Sequence, residues 1–126
     1  MKLNLGCGRE VKEGFDGVDI RHSDGVKYYS DLRRTPWILG TWEVLDQNPP
    51  SYSPGASPVV MENDSVDEVY SRNLIPCLTN HDHKYERVIF FNELWRVLKM
   101  GANATIIVPS WSSAGGYVHP DYREEY

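Results

Sequence analysis

The chain has 126 residues, and 13 Lys and Arg against 18 Asp and Glu leave it a net charge of -5. That length suits one domain, expected over residues 1–126, and an acidic balance with no Lys/Arg stripe offers no footprint for a nucleic-acid backbone. No apolar run approaches the roughly 20 residues that span a bilayer and no leader pattern precedes the first strand, so a cytoplasmic protein without a membrane partner is expected.

The first strand is predicted over residues 2–5, running straight into the turn Gly6-Cys7-Gly8. Glycine there permits a positive φ and leaves no Cβ to hold off a ligand. A second strand is predicted over residues 15–20 and contains Asp19, an acid well placed to accept hydrogen bonds from a ribose diol. Two readings are open at this point: a nucleoside-containing cofactor lying across strand ends, or an ordinary strand-turn-strand with glycines for the bend. About nine residues separate these strands, fewer than a helical crossover normally takes, so a single turn or an extended loop must stand in for the first helix.

A short third strand follows over residues 27–30, then Asp31-Leu32. Over residues 36–45 the apolar side chains Trp37, Ile38, Leu39, Trp42 and Leu45 recur at helical intervals, with Thr35 as N-cap and Pro36 at the first helical position. Gly40 weakens that helix. Residues 48–58 hold four prolines, one glycine and three serines, a composition that forbids helix or central strand. Residues 47–63 are therefore expected as a flexible loop, either filler or a lid over a site.

Residues 65–70 read as a fourth strand. A helix is predicted over residues 84–99 from the stripe Tyr85, Val88, Ile89, Leu94, Trp95, Val97 and Leu98, closed by Gly101 at the C′ position. A fifth strand over residues 104–109 is apolar on both faces, as in a buried parallel strand. Residues 110–126 form an irregular, tyrosine-rich tail. Strands alternating with helices argue for an α/β fold with a mainly parallel sheet.

Cys7 and Cys77 match no metal or redox spacing, and a reduced thiol at each is the simplest account. His81-Asp82-His83 reads better as a capped helix start than as part of a metal site, so no metal is expected. Trp37 and Trp42 fit core packing better than base stacking.

Taken in order, the blocks Leu3-Asn-Leu-Gly-Cys-Gly8, Gly17-Val-Asp-Ile20, Asp31-Leu32, Asn63-Asp-Ser-Val-Asp-Glu-Val-Tyr70 and Glu93-Leu-Trp-Arg-Val-Leu-Lys-Met-Gly101 resemble the class I, Rossmann-like S-adenosylmethionine-dependent methyltransferases. The resemblance implies a sheet of about five strands in the order 3-2-1-4-5, flanked by helices and with a reduced C-terminal part. It implies S-adenosylmethionine (or S-adenosylhomocysteine) as cofactor and a small-molecule methyl acceptor. The glycine turn, Gly6, Cys7 and Gly8, would face the methionine part; Asp19 would hold the ribose hydroxyls, with Ile20 against the adenine. Asp31 and Leu32 would approach the adenine, and the turn at Arg72, Asn73 and Leu74 would lie under the sulfonium. Asn4 stands where many members carry an acid and is counted with the cofactor residues.

Two departures from the family pattern matter. The run after the fourth strand, Asn73-Leu-Ile-Pro76-Cys77, lacks the Glu and the last His that related members carry. Members usually continue past strand five with two further strands; a reduced C-terminal part is expected here, with strand five as an exposed edge that homodimer contacts would cover. His119-Pro-Asp121 resembles an acid-Pro-x-His run near the family's active site, in altered order, and no catalytic base is assigned. A non-catalytic methyltransferase-like module, binding the cofactor or serving assembly, is the alternative. A nicotinamide-dinucleotide site fits less well: the third glycine of GxGxxG is missing, and Asp19 follows Gly8 far sooner than the roughly 20 residues of that fingerprint.

Overall fold

A computed structural model describes residues 1–45, 47–55, 58–78 and 85–109. Its centre is a five-stranded sheet in which every neighbouring pair runs parallel: β1 (Lys2–Leu5), β2 (Asp16–Asp19), β3 (Val26–Tyr29), β8 (Val66–Arg72) and β9 (Leu98–Ile107), in the order β3-β2-β1-β8-β9. These are the five strands expected from the sequence, in the expected order. β1 is central, and its alternate residues Leu3 and Leu5 are wholly buried. The connection from β1 to β2 holds no helix, so the short crossover is an extended loop.

The helical complement is smaller than expected. Among the described residues α1 (Glu86–Val97) is the one α-helix, joined by a single 3-10 turn at Ile75–Cys77. Residues 36–45 are not helical. They carry β4 (Ile38–Leu39) and β5 (Trp42–Leu45), and the backbone shows why. Tyr29 and Gly40 exchange hydrogen bonds of 2.7 and 3.0 Å, while the Met61 and Gly55 amides donate to the Trp37 and Thr41 carbonyls. Those groups are claimed by neighbouring chain and cannot close helical turns. Trp37 keeps its expected place in the core, fully buried, with its indole N–H donating to the Leu32 carbonyl at 3.1 Å.

Within 47–63, expected as loop, lie two further strands, β6 (Ser51–Pro54) and β7 (Val59–Val60). They pair antiparallel with β5 and β4 in separate two-stranded ribbons, outside the main sheet, where proline is tolerated.

The buried face of α1 also differs from the predicted stripe. Arg87, Phe90, Glu93, Leu94 and Val97 point inward, whereas Tyr85, Val88 and Trp95 are exposed, Trp95 by 86%. Phe90 packs on Trp37 with ring centroids 5.2 Å apart. The helix passes directly into β9 at Leu98, so Gly101 does not terminate it. Gly101, at φ 79°, instead lies where the ladder between β8 and β9 slips, its partners jumping from Val66–Leu98 to Glu68–Asn103. A bulge of this kind needs a residue that tolerates a positive φ. β9 is largely exposed rather than buried on both faces. The amides of Asp64 and Ser65 reach the carbonyls of Arg96 and Val97, which ties the chain before β8 to the end of α1.

The core joins Leu3, Leu5, Val18, Leu32, Trp37, Met61, Val66, Val69 and the inward face of α1. Among the described residues no helix is long and apolar enough to cross a membrane. His81-Asp82-His83, His119, Asp121 and the tail over 110–126 lie outside the described residues.

Candidate functional site

Parallel pairing of β1 with β2 brings Leu5 beside Val18, and the chain then turns sharply at Gly6. The Gly6 and Cys7 amides both reach the Val18 carbonyl, at 2.8 and 3.3 Å. Gly6 holds φ 63°, and a Cβ there would stand 2.8 Å from Cδ1 of Leu74. Backbone conformation and close approach therefore both require glycine at this position. At Gly8 a Cβ would meet nothing within 4 Å, so this part of the bend faces open space.

Asp19 ends β2 directly opposite. Its Oδ2 accepts the Gly8 amide at 2.7 Å and its Oδ1 accepts the Arg21 amide at 3.1 Å. The Ser23 hydroxyl donates to the Gly8 carbonyl at 2.8 Å, so Gly8 is held on both sides. Burial, followed by the nearby Asp19 charge, pushes the Cys7 thiol up to about 11. Cys7 is thus a small, uncharged filler at neutral pH rather than a reactive thiolate.

Two cavities open at the carboxyl ends of the strands and share Gly6, Asp19, Ile20 and Leu74 as walls. One, of about 370 Å³, adds Ser30, Asp31, Leu32 and Arg33. The other, of about 660 Å³, adds Gly8, His22 and Asn73. Asn4 and Cys7 line neither; they border a third cavity of about 560 Å³ on the other side of the bend, which also touches Gly6 and Asn73. The ten predicted residues therefore fall around one bend but into three spaces.

Some of their side chains are already engaged. Asp31 is held by the Arg33 guanidinium through two contacts of 2.9 Å, and these, against the opposing effect of burial, keep its carboxyl below the usual range. Leu32 belongs to the core, with only its edge lining the cavity. Asn4 is 1% exposed; its Oδ1 accepts the Lys12 amide at 2.8 Å and its amide nitrogen donates to the Tyr70 carbonyl at 3.3 Å. Asn4 thus pins the crossover loop to β8. Asn73 adopts φ 60° and donates its amide to the Ile107 carbonyl at 2.8 Å, which aims Leu74 at Gly6.

An aromatic cluster at the rim is not foreshadowed by any motif. His22 stacks on Tyr52 with centroids 3.5 Å apart and meets Trp42 edge-on at 5.1 Å, while Tyr29 meets Trp42 at 5.4 Å. Trp42 is therefore half-buried in a surface cluster rather than in the core. No local signal marks it, because His22, Tyr29, Trp42 and Tyr52 are brought together by the pairing of β5 with β6 and the bridge of Tyr29 to Gly40.

Among the described residues no group of three or more His, Cys, Asp or Glu could hold a metal ion. Comparison with models of protein families, with curated proteins and with solved structures finds no match to this chain.

Proposed function

We propose that the chain is a small, Rossmann-like S-adenosylmethionine-dependent methyltransferase that binds its cofactor across the carboxyl ends of β1, β2 and β3 and methylates a small-molecule acceptor. The observation that carries this reading is the Asp19 carboxylate, 2.7 Å from the Gly8 amide on a wall common to two cavities.

The residues fit such a cofactor. A carboxylate offers about four lone-pair positions, and the Gly8 and Arg21 amides occupy two, which leaves room for two ribose hydroxyls. Ile20, 41% exposed beside Leu32, supplies an apolar surface for an adenine. Gly6, Asn73 and Leu74 would border the methionine part. Cavities of about 370 and 660 Å³ suit a ligand of this size. When bound, the cofactor would supply a methyl carbon activated by its sulfonium. The chain's own work is to orient the two partners and exclude water. A base is needed only where the acceptor must shed a proton.

A binding module without turnover is the second reading. It is favoured by the engagement of Asp31, whose carboxylate on the wall of the smaller cavity is clamped by Arg33. A cytoplasmic setting and self-association along β9 belong to either reading as proposals.

Calorimetric titration with S-adenosylhomocysteine tests the cofactor. One-site heat and a thermal shift are expected for the natural chain and a loss of both for Asp19→Ala; no heat and no shift at millimolar ligand would reject the proposal. Transfer of labelled methyl to small molecules of a lysate, abolished in Asp19→Ala, separates the enzyme from the module.

A further inference from the structure

The third cavity, about 560 Å³ in volume, has a composition the rest of the molecule does not predict. Arg9, Lys12 and Arg72 line it against one carboxylate, Glu10, in a chain of net charge -5. Among the described residues none of these three cations has a carboxylate within 4.0 Å, as is also true of Arg21 on the neighbouring cavities, whereas Lys2, Lys27, Arg33 and Lys99 each have one. Two of the three are placed by the fold rather than left to wander. The buried Asn4 side chain grips the Lys12 amide at 2.8 Å, and the Lys12 ammonium lies 4.8 Å from the centroid of the Tyr70 ring. Arg72 is the last residue of β8.

Unpaired cations gathered around one cavity repel each other and are stabilised when an anion enters. We infer that this cavity binds a small anionic molecule, carrying a carboxylate or a phosphate, as the methyl acceptor of the neighbouring site. The inference rests on the cofactor reading above. It follows from charge: Arg9, Lys12 and Arg72 less Glu10 leave this cavity two positive charges in excess, and the proposed cofactor, itself a net cation, supplies no surplus negative charge to balance them. An anionic acceptor supplies the missing charge. Gly6, Arg9 and Asn73 line both this cavity and the 660 Å³ cavity, so an acceptor here lies next to the bend.

Titrations with inorganic phosphate and with succinate, at one fixed low salt concentration, test the site and separate the two anion classes. One-site binding of either probe is expected, weakened about tenfold in Lys12→Gln and in Arg72→Gln. Glu10→Gln removes the single opposing charge and is expected to tighten the same probe. Lys12→Gln lines neither cofactor cavity and is expected to bind S-adenosylhomocysteine as the natural chain does. The probe and S-adenosylhomocysteine are expected to bind together. Equal probe binding by the natural chain and all three variants overturns the inference. So does competition between probe and S-adenosylhomocysteine, which would assign the cations to the cofactor's own carboxylate. If S-adenosylhomocysteine fails to bind while the probe binds and the variants respond, the anion site stands and the cofactor reading falls.

Discussion

The Gly8 amide and the Asp19 carboxylate, 2.7 Å apart, join the glycine bend after β1 to the end of β2 as one unit. The bond is solvent-exposed, so its net worth to folding is small. Asp19→Asn keeps an acceptor oxygen and loses the charge. We expect a change in unfolding free energy of about 1 kcal/mol or less, with S-adenosylhomocysteine affinity lowered about tenfold or more. Urea unfolding and calorimetry on the same preparation measure both. Unchanged affinity would remove Asp19 from the site.

Gly6 couples the bend to the turn after β8 through Leu74. Gly6→Ala places a methyl group 2.8 Å from Cδ1 of Leu74 at φ 63° and is expected to cost about 1–3 kcal/mol. In a double-mutant cycle with Leu74→Ala, the pair should lose less than the sum of the two single changes. Strict additivity would mean that Leu74 does not press on the bend.

On α1 the inward and outward aromatics should separate cleanly. Phe90→Ala, at a fully buried position against Trp37, is expected to cost about 3–5 kcal/mol. Trp95→Ala, 86% exposed, should stay within about 0.5 kcal/mol. Denaturant midpoints at constant slope decide it.

The two thiols should differ in reactivity. Cys77 is exposed, whereas Cys7 is buried and pushed up to about 11. Maleimide at pH 8 should modify Cys77 first and Cys7 far more slowly. Because the folded value of Cys7 is raised, its contribution to stability is complete below the unfolded thiol's value near 8.5 and is lost as pH climbs toward about 11. The Asp19 charge is the second cause of the shift, so Asp19→Asn in a Cys77→Ser background should move the alkylation profile of Cys7 to lower pH.

Asp31 titrates in the opposite sense. The Arg33 hydrogen bonds hold its carboxyl down against burial, so its contribution is present above the unfolded value near 3.9 and lost as pH falls through the lower folded value. Arg33→Ala should reduce stability by about 1 kcal/mol or less at pH 7. That difference should vanish in strong acid, as unfolding followed from pH 7 to pH 2 would reveal.

Much of the sheet was legible because its strands combine short apolar runs with unmistakable turn residues: Leu3 and Leu5 before Gly6, Val18 before Asp19, Val66 and Val69 before Asn73. The bend and its acid could be named for the same reason, since local residue type alone dictates them. The ribbons could not. Trp37, Ile38, Leu39, Trp42 and Leu45 recur at helical intervals, and only the distant partners Tyr29 and Met61 draw this stretch into ribbons instead. The face of α1 was misread because Trp95 is apolar yet exposed, while Arg87 and Glu93 are charged yet buried, Glu93 paired with Arg96. The cation-lined cavity is not legible in the sequence because Arg9, Lys12 and Arg72 come together only once β1 lies beside β8.

The irregularity at Gly101 has a bearing on how copies of this chain behave when crowded. Leu98 and Asn103 pair with Val66 and Glu68, so four residues of β9 stand against Asp67 alone, and Lys99 among them is tethered to Asp67 at 2.7 Å. An unbroken, flat rim would invite another molecule to zip alongside and seed fibrils. Among the described residues the regular ladder of β9 on β8 is confined to residues 103–107, so the edge is neither long nor flat.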